Sequence, residues 1–478
     1  MGINGLTGLL KRHAPQSLTR VLAQQFQGQT LAIDASCPLN RFIYGSQDEP
    51  HPYRHIHGFY LLAKFCDRHN IKPIFVFDGT QRLVAKQEWE HRRRQRGRYK
   101  IKHSLVFEQS RSVRLATWLA TTESRCLSML TSESIERLLN QLGTTRMEHE
   151  VDTLNPGYVQ QEQDVLEAKW TQLAKELYDT RQRVQDKEKY TKTVRDLSNQ
   201  EYDLMCSMIR HRLDSVFGDL QELKLQNERL LTSYGKRALR VTQEMKDQCQ
   251  FFLSTMGYTC MTCENHEAEA MCARLVEDGK ADAIVSEDMD SVVFGDSRLL
   301  RYFFVQHRPI LCVDPVVARQ QMGLSKAEFL DLCILCGTDF GSKIHGVGPI
   351  RALEMIKQFG SIEQILYHLD PRKYIPEEGF DFRLIRKIFQ ELPDTISLDT
   401  LPSPTVDSTK LGELLQKYEI DVDEMDRQLD MIIQQQYHSG YEQQLDQKQP
   451  LTDDSGTIGD NGFGNDPFQQ RHPMLHLV

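Results

Sequence analysis

Three short apolar runs each end in an acidic residue: TLAIDAS (Thr30–Ser36), KPIFVFDG (Lys72–Gly79) and ADAIVSED (Ala281–Asp288). Each has the length of a buried strand. Between the first two, HIHGFYLLAKFCDRHN places its apolar residues at helical spacing. Strands alternating with helices predict an α/β fold with a parallel, doubly wound sheet. Ligands of such sheets bind beyond the carboxyl ends of the strands, and Asp34, Asp78, Asp288 and Asp290 all fall there.

From about residue 100 to 235 the pattern changes. Leu166, Trp170, Leu173, Leu177 and Val184 follow three/four spacing, and Leu213, Val216, Leu220, Leu223 and Leu230 repeat it. Asn155-Pro156-Gly157 breaks the pattern once. These stripes predict a long, coiled-coil-like helical insertion. An antiparallel hairpin would bury them within one chain; a protein partner or a second copy would bury them from outside. Further on, Phe329–Leu366 reads as helix, glycine-punctuated turn, helix, turn, helix. Its turn Gly346-Val347-Gly348-Pro349 opens a helix, where backbone N–H groups and the helix N-terminus favour a phosphate. Beyond Glu442 the chain is rich in Gln, Asp and Gly and is expected to be disordered. The expected division is 1–99, 100–235, 236–328, 329–442 and a tail over 443–478.

Charge changes this picture in one place. The chain of 478 residues has a formal net charge of -9, which by itself does not suggest a nucleic-acid binder. From Arg82 to Lys102, however, nine Lys and Arg face only Glu88 and Glu90. No apolar run of about 18 residues predicts a membrane span. The opening MGINGL has Leu6 where a myristoylation signal has Ser or Thr. Of the 11 cysteines, Cys260/Cys263 and Cys333/Cys336 form Cys-x-x-Cys pairs. The two pairs lie too far apart for common zinc spacings, and the second sits in an apolar run, so buried reduced thiols are expected.

The candidate chemistry lies in HEAEAMCARLVEDGKADAIVSEDMD (His266–Asp290), with Glu267 and Glu269 at one end and Asp288 and Asp290 at the other. Residues two apart on a helix point about 200° apart. Glu267 is therefore expected at the helix edge and Glu269 in its first turn, both facing the end of the sheet. With Asp34, Asp78 and Asp339 they form a set of seven carboxylates without histidine, suited to Mg²⁺ or Mn²⁺ rather than zinc. Carboxylate-held ions beside a basic segment and a phosphate-binding turn point to phosphodiester hydrolysis by two metal ions.

At MGINGL, LAIDAS, FVFDG, HEAEA, SEDMDSVVFG, CGTDF, IHGVGPIRAL and HLDPRKYIPEE the sequence resembles the XPG-type structure-specific 5′ nucleases, flap endonucleases among them. The resemblance covers roughly residues 1–100 and 236–435. It implies a PIN-like α/β/α nuclease core, a helical arch carrying the insertion, and a C-terminal helix–two-turn–helix that holds duplex DNA with a K⁺ ion. It implies Mg²⁺-dependent cleavage at 5′ flaps, nicks or gaps in DNA and a nuclear location, with mitochondrion or cytoplasm left open. All seven carboxylates match metal-site positions. Arg92 matches the arch arginine at the scissile phosphate. Ala85 stands at the arch lysine, with Lys86 one residue later as its candidate replacement. Gly2, Lys236, Arg237, Gly346, Gly348 and Arg351 match DNA-binding positions.

The sequence departs from that pattern in three respects. Asn40 replaces a base-stacking aromatic. The arch is enlarged by over a hundred residues. The ending QQRHPMLHLV does not fit a sliding-clamp motif. These departures suggest a divergent paralogue. A 5′→3′ exonuclease, a junction-resolving enzyme and a nuclease-fold scaffold acting in RNA or translation control are the competing expectations.

Overall fold

The computed structural model describes residues 2–45, 51–80, 84–122, 131–143, 160–211, 217–395 and 406–446. It divides into two compact units, one formed by Met1–Glu90 with Val241–Val478 and the other by His91–Arg240.

A seven-stranded sheet organises the first unit. Its strands are β1 (Leu18–Val21), β2 (Thr30–Asp34), β3 (Lys72–Asp78), β4 (Thr259–Cys263), β5 (Ala283–Val285), β6 (Leu299–Arg301) and β7 (Ile310–Val313). Their order is β1-β7-β6-β5-β2-β3-β4. The five strands from β6 to β4 run parallel; β7 is antiparallel to both β6 and β1. The expected α/β class holds, with a sheet that is mostly rather than wholly parallel. Successive strand side chains point to opposite faces, and both faces are covered. Ala32, Ile74, Val76 and Met261 enter one core with the helices Ala268–Glu277 and Lys326–Cys336. Leu31, Ile33, Phe75 and Phe77 enter the other with the helices Arg54–Arg68 and Gln243–Thr255. The C-terminal segment closes this second core through Leu414, Tyr418, Met425 and Leu429. Its last helix runs Val422–Asp446, past the expected boundary at 442; the remainder of the expected tail lies outside the described residues.

The Cys-x-x-Cys pairs have a structural role. Cys260 and Cys263 sit in β4, where residues three apart point to opposite faces. Cys263 accordingly lies in the first core and Cys260 against the second. Cys333 and Cys336 are buried in the first core. All four are free thiols.

The second unit corrects the hairpin expectation. It contains the helix Val84–Thr122 beyond His91, and the helices Ser132–Gln141, Gln160–Val184, Lys192–His211 and Phe217–Ala238. Trp170, Leu173 and Leu177 do not meet only Leu220 and Leu223. They share a core with Leu115, Trp118, Leu138, Tyr202 and Met205 from three further helices. Val184 belongs to a second cluster with Ile101, Phe107, Val194 and Tyr234. Leu213, Val216 and the Asn155–Gly157 break lie outside the described residues, as does the Leu166 side chain. The patterns of Ser132–Gln141 and Lys192–His211, not weighed in the sequence, supply the missing faces.

A fully buried ionic network ties these helices together. Arg111 donates through Nε to Glu201 Oε2 at 2.8 Å and through Nη1 to Glu108 Oε2 at 2.6 Å. Arg114 Nε reaches Glu201 Oε1 at 3.0 Å, and Asn227 Nδ2 donates to Glu108 Oε2 at 2.8 Å. Two cations thus face two anions, which offsets the cost of removing them from water. Removing one partner would leave a buried charge unmatched. Arg111→Ala is expected to destabilise this unit by about 3–5 kcal/mol. Urea denaturation followed by tryptophan fluorescence measures this, because Trp118 and Trp170, two of the chain's three tryptophans, lie in its core.

Candidate metal centre

Parallel pairing brings the acids to one edge. Asp34 ends β2 and Asp78 ends β3. Beyond the end of β4, Glu267 is the N-cap of the helix Ala268–Glu277, with extended backbone (φ −84°, ψ 152°), and Glu269 lies in its first turn. Beyond β5, Asp288 is the N-cap of the short 3₁₀ turn Met289–Val292, which contains Asp290. The chain adds β3 and β4 on one side of β2 and β5 on the other. The acids therefore surround the point where the winding reverses, the usual ligand crevice of such sheets.

One ligand oxygen each from Asp78, Glu267 and Glu269 lies within 4.8 Å of the others, close enough for one cation. Asp34 is fully buried and accepts hydrogen bonds from the Ser36 backbone N–H and Ser286 Oγ, both at 2.9 Å. Burial, and then the charge of Asp78, push its carboxyl up to about 7. Asp78 accepts from Ser36 Oγ and, at 3.0 Å, from the backbone N–H of Ala268 at the helix N-terminus. That terminus favours an anion. Asp288 Oδ1 accepts from the Asp290 N–H at 3.1 Å, and Ser286 Oγ accepts from the Asp288 N–H at 3.0 Å. Ser286 thereby joins the loop after β5 to Asp34 on β2. Cys37 records the convergence: burial, then the charges of Asp34, Glu269 and Asp288, push its thiol up.

The first residues of the chain close one side. Gly2 has φ +83°, and a Cβ there would collide with Asp288 Oδ1 and stand 2.8 Å from Asp290 Oδ1. The Asn4 backbone N–H donates to Gly337 O at 3.1 Å, two residues before Asp339. Gly5, at φ +68°, packs against Pro349, so close that a Cβ would lie 2.5 Å from Pro349 Cγ. The opening segment thus touches the Asp288–Asp290 loop, the strand of chain leading to Asp339 and the start of the helix Pro349–Phe359. Asp339 itself is half-buried in the turn after the helix Lys326–Cys336.

The other sequence-derived candidates are more dispersed. Gly346 has φ +81°, a conformation that favours glycine. Gly348 is the N-cap of Pro349–Phe359, with nothing within 4 Å of where a Cβ would stand. Arg351 Nη1 donates to Gly346 O, and its guanidinium lies 5.4 Å from the Tyr374 ring, so it braces the turn. Lys236 is buried and Arg237 exposed on the helix Phe217–Ala238. Lys86 and Arg92 fall in the helix Val84–Thr122, where their side chains lie outside the described residues. Ser36 and Ser286 were not singled out in the sequence. Their signal is a serine two residues from an acid, in Asp34-Ala35-Ser36 and Ser286-Glu287-Asp288.

A mostly parallel α/β sheet with carboxylates gathered at its strand ends defines the class, and two solved structures share its fold. The catalytic core of Rad2 in complex with DNA substrate matches with TM-scores of 0.51 and 0.50 in two complexes, at 15% identity. The alignments cover 90% of this chain and 100% and 99% of those chains. The sequence matches the XPG N-terminal domain over residues 1–99 and the XPG I-region over residues 262–339. The chain thus carries both XPG regions, and in them it is similar to flap endonuclease 1. The protein of that name from Chlamydomonas reinhardtii is 37% identical over 179 residues, covering 37% of this chain and 45% of the relative. That from Dictyostelium discoideum is 39% identical over 172 residues, covering 35% and 44%. The chain spans about half the length of the curated relatives it matches.

The raised Asp34 carboxyl gives the metal-free protein a pH signature. A buried acid with a raised pKa stabilises the fold in its neutral form. That contribution is complete below the ordinary value of 3.8 and is lost as pH rises through about 7. Asp34→Asn is expected to stabilise the metal-free protein at pH 8 by on the order of 1–3 kcal/mol and to have little effect at pH 4. Thermal melting in EDTA at the two pH values checks this.

Proposed function

We propose that this chain is a divalent-metal-dependent, structure-specific 5′ nuclease that hydrolyses phosphodiester bonds in DNA at 5′ flaps, nicks or gaps. The observation that carries the reading is the meeting of Asp78, Glu267 and Glu269 within 4.8 Å at the carboxyl edge of the sheet, beside buried Asp34. So many anions without a histidine suit a hard cation with oxygen ligands. Both XPG regions, and the similarity to flap endonuclease 1 within them, support the same reading.

In this proposal Asp34, Asp78, Glu267, Glu269, Asp288, Asp290 and Asp339 hold two Mg²⁺ ions, with Mn²⁺ able to replace them. Bound ions would supply the acidity that turns water into a nucleophile and the charge that stabilises the leaving oxygen. The chain's own groups do the positioning. Ser36 and Ser286 fix the Asp34 and Asp78 carboxylates by hydrogen bonds. The Ala268 N–H holds one Asp78 oxygen in place. Gly2 lets the chain start pass against Asp288 and Asp290, where DNA would approach. Arg92, with Lys86 in place of the arch lysine, neutralises the scissile phosphate as charge develops.

Duplex DNA is assigned to the turn at Gly346–Pro349, with a K⁺ ion there. The turn's positive-φ glycine, its open approach at Gly348 and its brace by Arg351 support that assignment. Lys236 and Arg237 are proposed as further DNA contacts. A nuclear location is proposed on the family resemblance alone.

The test compares the wild type with Glu269→Gln on flap, nick, gap and four-way DNA with Mg²⁺. Glu269 is buried in the first helical turn, and the amide keeps its shape while removing its charge. Cleavage is expected to fall about 10³-fold, the equivalent of several kcal/mol of metal stabilisation, while DNA binding in EDTA persists. Full activity in the variant would reject the site, and equal wild-type rates on all four substrates would reject structure specificity.

A further inference from the structure

The unit His91–Arg240 contains a groove of about 240 Å³ that the proposed cleavage chemistry does not use. Lys102, His103, Phe107, Arg114, Arg183 and Tyr190 are among its lining residues, and no carboxylate is among the described residues that line it. Lys102 and Arg183 are exposed, one on the helix Val84–Thr122 and the other on Gln160–Val184. Arg183 Nε donates to the Asp179 carbonyl at 3.3 Å and Nη2 to Thr180 Oγ1 at 3.3 Å; neither acceptor is charged. Their positive charges remain available to an anion. Arg114 is different, because Glu201 already balances it at 3.0 Å.

His103, Phe107 and Tyr190 give the groove an aromatic side. Phe107 meets Tyr190 edge to face, with ring centroids 5.3 Å apart. Arg111 and Arg114 lie 5.0 and 5.6 Å from the Phe107 ring centroid, and the buried ionic network fixes both. His103 lies against Tyr99, itself 46% exposed, with ring centroids 4.0 Å apart and planes tilted by 39°. This unit also differs in charge from the whole chain. It holds 27 Lys and Arg against 21 Asp and Glu, in a molecule of net charge -9.

Exposed cations beside aromatic faces, with no acid between them, suit a polyanion that also carries flat rings. We propose that this groove is a docking site for single-stranded nucleic acid, with backbone phosphate at Lys102 and Arg183 and a base against the His103 and Tyr190 side. A groove of this size admits a base or a phosphate but not a duplex. An acidic peptide would satisfy the cations and leave the aromatic wall without a stacking partner.

Binding is measured with the full chain in EDTA, so the result does not depend on whether the chain cleaves DNA. The probe is a fluorescent single-stranded oligodeoxynucleotide of about 12 nucleotides, with a blunt duplex and inorganic polyphosphate as comparisons. The variants are Lys102→Glu with Arg183→Glu, and Tyr190→Phe and Tyr190→Ala. The double charge reversal is expected to weaken single-strand affinity about tenfold or more and to lower the slope of log K against log salt by about 1.4, for two lost phosphate contacts. Duplex affinity should change less than about twofold. Tyr190→Ala should weaken the oligonucleotide about fivefold or more without affecting polyphosphate, and Tyr190→Phe should restore it, because stacking needs the ring and not the hydroxyl. Circular dichroism identifies any variant that fails to fold; Tyr190→Phe and the surface charge reversals keep the test available if Tyr190→Ala does. Unchanged single-strand affinity in the charge reversal would overturn the proposal. So would equal losses for single strand and duplex, or an oligonucleotide affinity insensitive to Tyr190→Ala in a folded protein.

Discussion

The carboxylates at the end of the sheet repel one another, and much of the first unit can be understood as what keeps them together. Asp34 and Asp78 come from neighbouring parallel strands, so the backbone ladder fixes their separation whether or not they attract. Burial makes the conflict sharper, since Asp34 has no access to water and its carboxyl is pushed up to about 7. The local answers are small and specific: the Ser36 and Ser286 hydroxyls, the Ala268 N–H at a helix start, and a turn in which the Asp290 N–H donates to the Asp288 carboxylate. These donors orient the acids without neutralising them. The remaining charge is what a cation would balance.

The same edge also organises the surrounding elements. The N-terminal segment passes from Asp288 and Asp290 at Gly2, along Gly337 at Asn4, to Pro349 at Gly5. Two positive-φ glycines make that path sterically possible, because side chains at either position would meet an acid or a proline. The proposed cation site and the proposed duplex-binding turn are thus tied to one short stretch of chain. The second unit has a separate basis for stability. Its hydrophobic cluster around Trp118 and Trp170 and the Arg111 network lie wholly within His91–Arg240.

Legibility followed range and regularity. Strands β2, β3 and β5 were readable because each is an apolar run closed by an acid or a serine–acid turn. Strands β6 and β7 were not, because three or four residues give too little periodicity, and half-exposed β1 alternates weakly. β4, TCMTC, was missed because it holds no Val, Ile or aromatic residue; its cysteines, expected as buried reduced thiols, lie toward opposite faces of the strand. In the insertion the two stripes were visible, but which helices would cover them was not, since Leu115 and Met205 reach that core from distant sequence. At the edge of the sheet the acids could be picked out by eye. Their hydroxyl partners could not: Ser286 and Asp34 are 252 residues apart, and only the fold brings them together.

The central claim is that this edge holds divalent cations. Mn²⁺ binding to the full chain, followed by electron paramagnetic resonance, tests it without reference to any substrate. The account predicts saturable binding of about two ions per chain, displaced by Mg²⁺ and sharply weakened by Asp78→Asn. Absence of saturable binding, or binding that Asp78→Asn leaves unchanged in a folded protein, would contradict it.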